Sequence, residues 1–201
     1  MTLKLILASK SPRRKDLLEQ IGVFPDLIED SNINESIDNP KILPKQKAII
    51  IAKLKAEAVY EKSKIENSII LAADTIVTVG RRIVEKPNHE DDALRALQLL
   101  SGRNHRVYTA ICVRDQYGKY ISRLVETRVK FKRLSDEEMG SYILSKEWYD
   151  KAGGYAIQGI AGSFVIKIIG SYSSVVGLPL YQTSNLLNGV GYDVKYRRKE
   201  K

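Results

Sequence analysis

Residues 69 to 73 read Ile-Ile-Leu-Ala-Ala without a break, and Asp74 follows. An unbroken apolar run of this length reads as a buried strand, because it offers no polar face to water. The rest of the chain must therefore build cover over it. Asp74 sharpens the constraint. An ionised carboxylate in or beside a core is costly unless it is paired, hydrogen-bonded or bound to a metal. At the end of such a strand it is either a metal ligand or general base facing a cleft, or a turn residue. The run alone leaves both open.

Turn and capping signals divide the remaining sequence into strands and helices. Leu3 to Ala8 reads as a second buried strand. Ser11 at an N-cap, Pro12 at the first helical position and Gly22 past the end predict a helix over Pro12 to Gln20. Phe24 to Glu29 reads as a strand, Asp30 to Pro40 as a polar loop and Lys45 to Lys62 as a long helix. The strand from Ser68 to Ala73 runs on through Thr75 to Val79. Gly80-Arg81 then fits a tight hairpin turn, with Ile83 to Glu85 returning. Asn88 is placed to cap a helix through Leu100. His105 to Asp115 and Tyr120 to Phe131 read as a hairpin, and Ser135 to Glu138 as a capping box opening a helix to about Leu144. Gly154 to Gln158, Phe164 to Ile169 and Val175-Val176 read as strands, and Pro179 to Leu187 as a short helix. Strands and helices are interspersed, which predicts an α/β or α+β class with a mixed sheet. No linker interrupts the chain. The expected organisation is a single domain over residues 1–194 and a basic tail over 195–201.

Composition excludes several functions. One cysteine, Cys112, rules out an internal disulfide framework, and with only His89 and His105 a multi-histidine metal centre is not expected. The net charge is +9, which favours an anionic partner. The tail contributes +4 and the five lysines between Lys41 and Lys55 contribute +5, so the remainder is neutral in sum. A nucleic-acid binder normally shows a broader basic face. The tail reads as solvated, with weak RNA contact as the alternative. No run is long enough for a signal-peptide core or a membrane span, so the default compartment is cytoplasmic, with no membrane partner.

Four segments carry candidate chemistry. Ser9-Lys-Ser-Pro-Arg13-Arg14 joins a buried strand to a helix N-terminus, whose unpaired N–H groups and partial positive charge attract anions. Arginine binds phosphate oxygens bidentately, so Ser9, Arg13 and Arg14 suit a polyphosphate; the alternative is a capped helix with surface arginines. Lys55 has Ile51, Ala52, Ala58 and Val59 as its helical neighbours, so it lies on the packed side. It either snorkels to the edge or points into a polar cleft. Lys86 closes the hairpin after Asp74, as an exposed lysine or a phosphate contact. Gln158, among the glycines of residues 153–159, is either an exposed residue of a bulged strand or an amide that reads a base edge. His105 reads as a structural hydrogen-bonding residue and Cys112 as core.

In this order the segments resemble the Maf family of nucleotide pyrophosphatases. The resemblance is carried by Ala8-Ser-Lys-Ser-Pro-Arg-Arg14, Ala52-Lys-Leu-Lys-Ala56, Ala73-Asp-Thr75, Glu85-Lys-Pro87, Leu100-Ser-Gly102, Asp150-Lys-Ala-Gly153, Ile157-Gln-Gly159 and Val176-Gly-Leu-Pro-Leu180. It spans Leu5 to about Leu187. It implies a two-lobed Maf/ITPase-like fold with a long mixed, twisted sheet, flanking helices and a central cleft. The implied activity cleaves nucleoside triphosphates between the α and β phosphates, with Mg²⁺ or Mn²⁺, in a homodimer. By resemblance, Ser9, Arg13, Arg14, Lys55 and Lys86 bind the substrate's phosphates. Asp74 is the catalytic carboxylate, and Asp74 with Glu35 holds the metal. The segment Asn32-Ile-Asn-Glu35 is less acidic than the family pattern. Ala73-Asp-Thr75 resembles the branch acting on dTTP and UTP rather than the branch acting on methylated GTP, which tends to carry Ser-Asp-Gln. Arg13, Thr75 and Gln158 would then set the pyrimidine preference. The alternative is a nucleotide-binding regulator of septum formation without turnover.

Overall fold

The computed structural model describes residues 3–37, 39 and 41–194; the tail assigned to 195–201 lies outside the described residues. The chain divides into two compact units. The first comprises Met1–Asp74, Thr109–Leu124 and Gly177–Lys201, and the second Thr75–Tyr108 and Val125–Val176.

The first unit opens with β1 (Lys4–Ala8), α1 (Pro12–Gln20), β2 (Leu27–Glu29), α2 (Pro44–Ser63) and β3 (Ser68–Val79). Strand β1 pairs in parallel with β2 on one side and with β3 on the other. The expectation of unbroken burial holds: Leu5 to Ala8 and Ile69 to Ala73 are fully enclosed. Each large aliphatic side chain so enclosed contributes about 1.5–3 kcal/mol. Helix α1 begins at Pro12. Ser11 stands at its N-cap position without a side-chain capping bond. Helix α2 starts at Pro44, where the Gln46 side chain accepts the Leu43 N–H at 3.0 Å, and ends at Lys64 in a left-handed conformation.

Among the described residues the sheet has seven strands in the order β2-β1-β3-β5-β6-β7, with β4 (Arg82–Val84) paired antiparallel to β3. Gly80, at φ +60°, makes the β3–β4 turn. Strands β5 (Asn104–Arg114) and β6 (Tyr120–Phe131) are neighbours joined by a short turn, and β7 (Val165–Ile169) runs antiparallel to β6. In the second unit, α3 (Glu90–Leu100) and α4 (Asp136–Leu144) pack together. Its core centres on Phe131, which meets Tyr155 and His105 edge-on at 4.9 Å, with Phe164 next to it.

Asp74 lies within β3, which continues for five residues beyond it, as the reading of Thr75 to Val79 as a continuation of the strand expects. Three local expectations are corrected. The N-cap of α3 is His89, not Asn88; the Asp92 carboxylate reaches back to the His89 N–H at 3.2 Å. Gly154 to Gln158 is not a strand. Gly153 and Gly154 both take positive φ inside a 3₁₀ turn (Ala152–Gly154), and a second 3₁₀ segment covers Ile160–Phe164. Tyr155, Ala156 and Ile157 are consecutively buried, so no two-residue alternation exists. Val175-Val176 belongs to a short helix, α5 (Tyr172–Val176), which precedes α6 (Leu180–Gly189).

Candidate active site

From β1 the chain winds through α1 to β2 on one side, and then through α2 to β3 on the other side of β1. The direction of winding thus reverses between β1 and β3. Open sheets of this kind take up ligands beyond the carboxyl ends of the strands at such a switch point. The last β1–β3 partners are Ala8 and Ala72. Ser9 follows directly on one strand, and Asp74 lies two residues further along the other.

Asp74 and Lys55 are both buried, at 4% and 6% exposure. Lys55 Nζ donates to Asp74 Oδ1 at 2.8 Å and stands 2.7 Å from Glu35 Oε1. The lysine does not snorkel. Its stem lies on the packed side of α2, and its ammonium is taken up by two carboxylates. Such a pair is no bargain for stability, since the desolvation of two charges offsets most of their attraction. Asp74 is the one charged residue of β3, whose other polar residues are Ser68, Thr75 and Thr78, and this makes the pair the candidate site. Glu35, half-exposed, is brought to the same ammonium from the loop after β2.

The loop from Ser9 is braced by Arg14. Ser9 Oγ accepts the Ser11 N–H at 3.2 Å and Arg14 Nη1 at 3.0 Å. Arg14 Nε donates to the Gly177 carbonyl at 2.9 Å. Arg14 is thus partly a structural clamp, while Arg13 on the first turn of α1 is half-buried. The Gly177 carbonyl is a participant that the sequence does not disclose, because it acts through its backbone across 163 positions.

The second unit holds Thr75, Lys86 and Gln158. Thr75 is half-buried and follows Asp74 directly. Lys86 is exposed, with its Nζ 3.8 Å from Asp150 Oδ1. Gln158 is exposed. Glu147, which the sequence reading did not single out, accepts the Ile160 N–H at 2.9 Å beside it. A Cβ at Gly159 would fall 2.1 Å from that carboxylate, so glycine is what lets Glu147 reach in. His105 is structural, as expected: it is enclosed, its Nε2 lies 2.8 Å from the Tyr155 hydroxyl, and burial pushes its pKa down to about 4. Cys112 is a buried free thiol whose pKa burial raises.

A family model described as Maf-like protein matches residues 4–190. The chain belongs to the Maf family. It is 55% identical to a dTTP/UTP pyrophosphatase of Maricaulis maris over 98% of this chain and 93% of that protein. It is 51% identical to the protein of that name from Bradyrhizobium diazoefficiens, over 96% of this chain and 94% of the other. Among solved structures, a HAM1 protein from Coxiella burnetii covers 94% of this chain and is itself covered completely, at 15% identity and a TM-score of 0.49.

Proposed function

We propose that this chain hydrolyses dTTP and UTP to the monophosphate and pyrophosphate. The carrying observation is the enclosed Asp74–Lys55 pair, with Glu35 on the same ammonium, beside a loop and helix N-terminus suited to phosphate. The names of the curated relatives support the pyrimidine substrates.

The donor set fits a divalent cation. Two carboxylate oxygens converge on one cationic atom, and magnesium is held by one or two carboxylates together with substrate phosphates rather than by an all-protein cage. Asp74 and Glu35 would hold Mg²⁺ or Mn²⁺, which when bound neutralises charge on the phosphates.

This chain's own residues do the rest. The N–H groups at the start of α1, the Ser9 hydroxyl and the guanidiniums of Arg13 and Arg14 bind and orient the triphosphate. Asp74 takes a proton from the water that attacks the α-phosphorus in line. Lys55 stabilises the charge that grows on the departing pyrophosphate. For Lys86 as a further phosphate contact, and for Arg13, Thr75 and Gln158 in pyrimidine preference, the support is the family motif. A homodimer belongs to the same reading, and sedimentation measurements test it.

Pyrophosphate release across the nucleoside triphosphates, with and without added metal, tests the reading. Release should be greatest with dTTP and UTP, and Asp74→Asn should lose at least 100-fold in kcat. An Asp74→Asn protein that retains near-native UTP cleavage overturns Asp74 as the base. Nucleotide binding by the wild type without any pyrophosphate release overturns the hydrolase.

A further inference from the structure

The outer face of strands β5, β6 and β7 in the second unit carries a depression of about 420 Å³. Its lining includes Arg106, Arg128, Lys130 and Lys167. None of these is part of the site described above. On β6 the inward residues Thr127, Val129 and Phe131 are fully buried, while Glu126, Arg128 and Lys130 alternate outward.

Two features mark this face as more than a solvated surface. The first is register. Lys130 stands directly opposite Lys167 across the antiparallel β6–β7 pair. Like charges in directly opposed positions on one sheet face are destabilising. An edge strand commonly carries a lysine to block further pairing, which accounts for Lys167 alone. It does not account for a second lysine facing it, nor for arginines on the interior strands β5 and β6. The second feature is bracing. Glu126 Oε1 lies 3.1 Å from Arg106 Nε and 3.3 Å from Arg128 Nε. One carboxylate thereby fixes two guanidiniums side by side, using one N–H of each and leaving four.

We propose that this depression binds a small oligophosphate, independently of the active site. Four cations against one carboxylate leave a surplus that a single carboxylate ligand would not match. Paired guanidiniums suit phosphate oxygens bidentately. The cationic rows lie about 5 Å apart between strands and about 7 Å apart along one, which is the reach of a two- or three-phosphate chain. The ligand is either inorganic or the phosphate chain of a free nucleotide.

The test is calorimetric titration of the full chain with inorganic tripolyphosphate and, separately, with a non-hydrolysable UTP analogue. Wild type is compared with Lys130→Gln/Lys167→Gln and with Lys130→Arg/Lys167→Arg. The glutamine pair should bind one equivalent fewer, and the arginine pair should keep the full number. UTP turnover should be unchanged in both. Loss of the extra equivalent with tripolyphosphate assigns the site to a bare phosphate chain. Loss with the nucleotide alone assigns it to a nucleotide. Equal stoichiometry in wild type and the glutamine pair overturns the proposal. So does a difference seen only with an RNA oligonucleotide. Because the readout is a difference of one equivalent, it stands even if the pyrophosphatase reading fails.

Discussion

Asp74 Oδ1 lies 2.8 Å from Lys55 Nζ, with both side chains shut away from water, yet the two partners are not equivalent. Lys55 has a second carboxylate, Glu35, at 2.7 Å. Lys55→Met removes the ammonium and leaves the Asp74 carboxylate enclosed beside a methyl group, at a cost of about 3–5 kcal/mol. Asp74→Asn leaves Lys55 with Glu35 and a neutral amide, so its cost should be less than half of that. Urea unfolding of the two variants measures the order. Equal losses would mean that Glu35 does not hold Lys55 in solution.

The loop after β1 depends on a planar fork. Arg14 reaches Ser9 Oγ through Nη1 and the Gly177 carbonyl through Nε, two nitrogens in fixed relative position. A lysine offers a single nitrogen and cannot serve both acceptors. Arg14→Lys should therefore lower kcat/KM for UTP about 10–100-fold despite its unchanged charge, with a stability loss of about 1 kcal/mol. Steady-state kinetics and thermal melts check the two effects separately.

His105 makes the second unit sensitive to acid. Its pKa is pushed from 6.5 to about 4 by burial, so the folded protein keeps it neutral where the unfolded chain binds a proton. Stability therefore falls as pH drops from about 6.5 to about 4, by about 3 kcal/mol in all, and this contribution is flat outside that window. His105→Gln should abolish this part of the pH slope. Unfolding midpoints at pH 4.5 and 7.5, in wild type and variant, give the comparison.

Gly153 is held at φ +73°, and a Cβ there would lie 2.9 Å from three carbons of Val77. Gly153→Ala combines backbone strain with overpacking, about 2–4 kcal/mol together. Adding Val77→Ala removes two of the three crowding carbons and leaves its Cβ, so the double variant should be more stable than the sum of the singles implies. Additive losses would mean that the two Val77 methyl groups carry none of the cost.

The apolar runs of β1 and β3 are legible in the sequence because a strand covered on both faces needs no pattern beyond continuity. Helix α1 is legible from Pro12, and α4 from its capping box. What escapes is whatever depends on a distant partner. The glycines of 153 and 154 look like a strand's punctuation, yet both take positive φ, and a Cβ on either would crowd Val77 or Pro87, which lie far off in sequence. At the site, residue types and family motifs point to Ser9, Arg14, Lys55 and Asp74. That Lys55 turns inward rather than outward is decided by two carboxylates 19 and 20 positions away, which no local pattern reports. The Gly177 carbonyl is a backbone group and leaves no side-chain signature, and the Glu147 carboxylate beside Gly159 meets a backbone N–H, that of Ile160, which no local pattern pairs with it.

The bond from Arg14 to Gly177 has a bearing on how the protein comes to be made. It joins two points 163 positions apart, so the loop that starts the chain's first helix cannot be completed until most of the polypeptide has been synthesised. During translation the guanidinium of Arg14 waits for its acceptor while the intervening strands and helices emerge. A product cut short before residue 177 lacks that carbonyl altogether. The earliest part of the candidate site to be translated is thus among the last to be finished.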